Sequence, residues 1–226
     1  MEFQGPAAGD LANVHALNLA FFDVLRKDDD DPVRTRPETE GMVAKLAALG
    51  TQQSDRLAQC PFLLFALAES EDWRWDSLFN SEERRDLIDR LERPSEVSAR
   101  LTAATLGFLW ELARRNPYAA RLVSGASLNW CEQLSDASPV RLFRFAASET
   151  GLISPRLVNR AGFWTKLLDA GSSREKHIRH AAQLCALQTA ITHQKSERYG
   201  QLPAAACSMP APAMRVAERR KRPPGD

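Results

Sequence analysis

Two histidines, His177 and His180, stand three residues apart. That spacing puts both on one helical face and supplies half of a metal site if carboxylates or thiols face them. Glu175 and Cys185 are near in sequence, but Arg174, Lys176 and Arg179 surround the pair and repel a cation. The cluster therefore reads as a basic face that meets anions. The carboxylates Glu69, Glu71, Asp72, Asp76, Glu82, Glu83 and Asp86 could supply an acid–base pair. They alternate with Arg74, Arg84 and Arg85, so a solvated, ion-paired helix face accounts for them. Cys60, Cys131, Cys185 and Cys207 are far apart and never form C-x-x-C, which predicts neither zinc nor a bridge and makes them small buried hydrophobes. Phosphate-loop, H-E-x-x-H and G-x-S-x-G patterns are missing. The expectation is a chain that is not an enzyme and has no catalytic residues, metal or cofactor.

The elements that must position such residues read as helices. Asp10 caps a helix to about residue 27 whose stripe is Leu11, Val14, Leu17, Leu19, Phe21, Phe22 and Leu25. Four aspartates and Pro32 stop it. Helices follow at 38–49 and, capped by Thr51, to about residue 60. The apolar run 62–67 is too short to assign by period; a helix is the first reading and a buried strand the alternative. Ser81 opens a charged helix to residue 91, and Ser95 another to residue 115. Further helices are expected at 118–123, 127–135, 154–169 and 173–195. Residues 201–226, rich in proline and alanine and carrying Arg219, Arg220, Lys221 and Arg222, cannot bury enough surface to fold and predict a disordered basic tail.

With 226 residues, 30 basic against 29 acidic side chains and a formal net charge of +1, no global field draws the chain to polyanions, so any such binding must be local. No apolar run reaches the roughly 18 residues of a membrane span, and the first residues lack an export signal, so a cytoplasmic protein is expected.

Self-similarity comes next. Residues 57–71 lie over 134–149 with one insertion, matching Leu, Pro, Leu-Phe, Ala and Ser-Glu in order. The aromatic stretch 19–26 likewise has a counterpart in 106–113. The predicted fold is therefore all-α, a compact multi-helix bundle of two similar units, 10–94 and 95–200, behind a flexible leader 1–9. Their opening helices, 11–27 and 97–115, should pair about a pseudo-two-fold axis, giving a monomer that imitates a dimer.

The run His15-Ala16-Leu17-Asn18-Leu19-Ala20-Phe21-Phe22, followed by residues 46–58 with Leu46, Leu49, Thr51, Gln53, Leu57 and Ala58, resembles FlhD, the flagellar master transcriptional regulator subunit. Phe143-Arg144-Phe145 repeats that family's F-R-F signature in the second unit, where the first has Phe65-Ala66-Leu67. The resemblance implies an all-helical cytoplasmic regulator that acts on promoter DNA together with a zinc-bearing, FlhC-like partner.

Two candidate contact regions follow from the residues. Ser154 as cap and Pro155 at the first helical position would make a helix presenting Arg156, Asn159 and Arg160 to a duplex, after 143–149 and a Gly151 turn in a helix-turn-helix layout. Arg174, Lys176 and Arg179 extend that basic face. Trp73 and Trp75 cannot share one helical side, so one of them is expected at the surface; Trp73, Trp75 and Phe79 are the candidate docking point for the partner, with ordinary core packing as the alternative. The expected function is a transcriptional activator subunit that binds promoter DNA with the FlhC-like protein. The alternative is a helical adaptor or secretion-associated chaperone that does not touch DNA.

Overall fold

The computed structural model describes residues 5–27, 37–80, 96–149, 151–160 and 162–200. The described chain is all-α apart from one short strand pair. Its elements are α1 (Ala8–Lys27), α2 (Pro37–Ala48), α3 (Thr51–Ala58), β1 (Phe65–Ala66), α4 (Asp72–Phe79), α5 (Glu96–Arg115), α6 (Pro117–Ser124), α7 (Leu128–Asp136), α8 (Pro139–Ser148), β2 (Ser154–Pro155), α9 (Phe163–Gly171) and α10 (Lys176–Gly200). The helix expected at 81–91 and the expected disordered tail 201–226 lie outside the described residues.

Several helix ends are set by local chemistry. Asn116 caps α6 by accepting the Ala119 N–H at 3.0 Å, with Pro117 in the first position. Ser127 caps α7 by accepting the Trp130 N–H at 3.0 Å, and Ser138 caps α8 ahead of Pro139. Two expected caps change role. Asp10 is inside α1, reaching back to accept the Ala7 N–H at 2.9 Å and taking the Arg115 guanidinium at 2.6 Å. That pairing pushes the Arg115 pKa up, first through the hydrogen bond and then through the charge of Asp10. Thr51 is the first residue of α3, with extended Gly50 before it.

α5 is the hub: α1, α6, α7 and α8 pack around it, while α9 joins α2, α3 and α10. One apolar core runs through all of this, from Phe21 and Leu46 to Leu109, Leu142 and Leu167. It therefore draws on both sides of the expected boundary at residue 94. The expected opening helices do touch, since α1 packs on α5. The duplication does not hold at its best-matched stretch. Residues 62–67 are non-helical, with Phe65–Ala66 in a strand and all but half-buried Ala66 buried, whereas the residues laid over them form helix α8.

That non-helical run corrects the first reading of 62–67 as a helix, and its hydrogen bonds explain why. β1 pairs antiparallel with β2, Phe65 opposite Pro155 and Ala66 opposite Ser154. Buried Asn18 of α1 donates to the carbonyls of Ala58 and Phe62 at 3.1 and 3.0 Å and accepts the Leu64 N–H at 2.9 Å. The Leu63 N–H goes to Val123 O at 3.0 Å. A buried backbone must have partners, and here side chains and distant carbonyls provide what a helix would have provided internally. The same pairing overturns the helix expected from Ser154. Residues 154–155 are strand, Leu157 sits at φ 54°, and the helix starts only at Phe163, after Gly162 at φ 75°. An extended strand thus separates α8 from α9, and the helix-turn-helix layout does not form.

Candidate nucleic-acid and partner interfaces

The six cations and polar groups expected to meet DNA are divided by the fold. Arg156 is buried, with 7% of its surface exposed. Its Nε donates to Leu63 O at 2.8 Å and its Nη2 to Phe65 O at 2.9 Å, with a further close contact from Nη2 to Ser124 O. Glu69, itself nearly buried, stands 3.8 Å away and accepts the Leu67 N–H at 2.7 Å. Burial lowers the Arg156 pKa, and the Glu69 charge opposes that shift. The guanidinium lies against Gly125, where φ is 73° and an added Cβ would sit 1.7 Å from Nη1. Trp164 completes the knot by donating its indole N–H to Arg156 O at 2.8 Å. Arg156 is thus a clamp on the β1 backbone and faces no phosphate.

Asn159 and Arg160, three and four residues further on, are exposed on the turn that leads into α9. Arg174 and Lys176 are exposed at the start of α10, and half-buried Arg179 turns back to donate to Ser173 O at 3.0 Å. Both histidines there are exposed, with His177 3.3 Å from Glu175, and among the described residues no group of three His, Cys, Asp or Glu side chains is placed to hold a metal ion.

Arg160 also lines a cleft with a residue that the sequence did not single out. A cleft of about 250 Å³ opens between α2 and the turn before α9. Met42, Trp164 and Leu168 form its buried floor, with half-buried Val158 beside them, and exposed Lys45 and Arg160 stand at its edge. The nine described residues that line it include no carboxylate. Lys45 carries no signal alone, because a lysine on an amphipathic helix is ordinarily solvated; only the packing of α2 on α9 brings it to Arg160.

The three aromatics expected to dock a partner also divide. Trp75 is in the core, edge-on to Trp130 and tilted against Phe145, each at a centroid distance of 4.9 Å, and donates to Ala68 O at 3.0 Å. Phe79 stacks on Trp75 at 5.8 Å and is half-buried. Trp73 stands 68% exposed, and the Arg74 guanidinium lies 4.9 Å from its ring centroid. Val140 and Phe143, three residues apart on α8, are exposed as well. Phe143, the first aromatic of the F-R-F signature, faces solvent, while Phe145 fills the core.

Buried Cys60 and Cys131 have pKa values pushed up to about 12 and about 11, in both cases chiefly by desolvation. Cys185 is exposed, contrary to the expectation of burial, and Cys207 lies outside the described residues. No described helix is long and apolar enough to cross a membrane. No family model, no curated protein and no solved structure matches the chain.

Proposed function

We propose that this chain is a helical regulatory subunit that works through macromolecular contacts: it docks a partner protein of the FlhC type and, with it, meets promoter DNA in the cytoplasm. The observation that carries the reading is Trp73. A tryptophan left 68% exposed on a short helix whose other aromatics are packed inward offers a large, stiff apolar surface of the kind that dominates protein interfaces. Asn159, Arg160, Arg174 and Lys176 supply exposed groups for phosphate contact, and the near-zero net charge makes the DNA contact weak without the partner.

The test is co-purification of the tagged full chain and its Trp73→Ala variant from the native host. An FlhC-like zinc protein retained by the parent and lost by the variant supports the reading. Equal retention, or no such protein, overturns it. A second reading, the helical adaptor or secretion-associated chaperone without DNA contact, gains from one observation: the arginine at the centre of the DNA expectation, Arg156, is engaged in the core. Under that reading duplex affinity is unchanged when Asn159 and Arg160 are replaced by alanine.

A further inference from the structure

We infer that the cleft between α2 and the turn before α9 is a phosphate-binding site, with Lys45 and Arg160 as its anion ligands. Four features of the cleft point the same way. Two cations more than a hundred residues apart in the chain line one cleft. Neither has an ion-pair partner among the described residues, in contrast to Arg74 and Arg115, which pair with Glu71 and Asp10. Among the described residues the lining has no acidic group that would compete. The floor of Met42, Trp164 and Leu168 is apolar, so the group attached to the anion is one with an apolar part, as a sugar or base has. Arg160 offers a planar fork suited to two phosphate oxygens, and Lys45 a point charge for a third. Thr165, exposed in the first turn of α9, adds a hydroxyl at the same wall.

The ligand is therefore a phosphate ester of a small, partly apolar group. Two sources carry that chemistry: a phosphate of a DNA strand, in which case the cleft deepens the regulatory reading above and rests on it, or a free mononucleotide, in which case it stands without that reading. Calorimetric titration of the full chain with adenosine monophosphate, beside anisotropy of a labelled DNA duplex, separates them. The variants are Lys45→Gln and Arg160→Gln, both at exposed positions that leave the core untouched. Lys166→Gln removes an exposed cation of α9 that does not line the cleft and serves as the control.

The expected result is that each cleft variant weakens binding about tenfold while the control changes it less than twofold. That pattern in the nucleotide arm assigns a free mononucleotide. The same pattern in the duplex arm, with no measurable binding of the mononucleotide, assigns a strand phosphate. Loss of binding by the control equal to that of the cleft variants shows diffuse attraction and overturns the site. Absence of binding in both arms overturns it too, and does so without touching the Trp73 experiment, which reads the partner alone.

Discussion

Replacing Arg156 by lysine keeps the charge and removes the fork. Three carbonyls, those of Leu63, Phe65 and Ser124, would then share one ammonium too short to reach them together, and Glu69 would lose the guanidinium beside it. Breaking a buried ionic cluster costs about 3 kcal/mol or more. Arg156→Lys should therefore lower the urea midpoint sharply, while Arg160→Lys at the surface leaves it unchanged. Gly125 gives a second reading of the same clamp. At Gly162 the backbone is left-handed but the space around it is open, so alanine there should cost about 1 kcal/mol and asparagine less. At Gly125 both substitutions meet the guanidinium, so asparagine should be no better than alanine. If Gly125→Asn proves clearly milder than Gly125→Ala, the constraint is φ alone and Arg156 does not hold its place against Gly125.

The thiols are testable at the same scale. Cys60 keeps its proton in the folded chain up to about pH 12, whereas an unfolded thiol ionises near 9. The unfolded state thus binds fewer protons through that window, and this group makes stability fall as pH rises from 9 towards 12. Cys60→Ala should flatten the alkaline limb of the stability profile. Alkylation at pH 8 followed by peptide mapping should label exposed Cys185 and leave Cys60 and Cys131 unmodified until the chain unfolds.

Helices α6, α7 and α8 begin with their own capping side chains, and each cap acts within four residues. Losing one costs about 1 kcal/mol, so Ser127→Ala should lower stability by that amount without changing the fold. Helix α4 separates a structural from a binding role on one short element. Trp75→Ala empties a packed aromatic cluster and should cost about 3–5 kcal/mol. Trp73→Ala removes no core contact and should leave the melting temperature within a degree or so of the parent. A large fall for Trp73→Ala would place that ring in the core and remove the docking surface.

The same locality decides what could be read from the sequence. The expected helices at 118–123 and 127–135 match α6 and α7 within two residues, because proline, asparagine, serine and glycine mark those ends. The run 62–67 carries no such mark. Its conformation depends on Asn18, Val123 and Arg156, which lie far away in the chain. Arg156 left one trace: it is the lone charge in Leu152-Ile153-Ser154-Pro155-Arg156-Leu157-Val158, a setting as natural for a buried guanidinium as for a phosphate contact. The cleft left none, since Lys45 and Arg160 meet only through the packing of α2 on α9.

At the scale of the molecule, α1 and α5 share one core across the boundary expected at residue 94, and β1 is held by β2 and Arg156 from beyond it. The halves 1–94 and 95–226 should therefore not fold apart: each should melt without a cooperative transition by circular dichroism. A cooperative melt of either half would establish an independent domain and restore the two-unit organisation.

The clamp also sets an order of events. Residues 61–67 are made about ninety residues before Arg156, and closing a loop of that length costs on the order of 4 kcal/mol in chain entropy before any contact repays it. During synthesis the Phe62-Leu63-Leu64-Phe65 run must wait, apolar and with Asn18 alone reaching its backbone at Phe62 and Leu64, until the second half of the chain arrives. Refolding should accordingly be slow for a helical protein, limited by one long-range closure, and the interval before that closure is when this chain is most exposed to self-association and most dependent on chaperones.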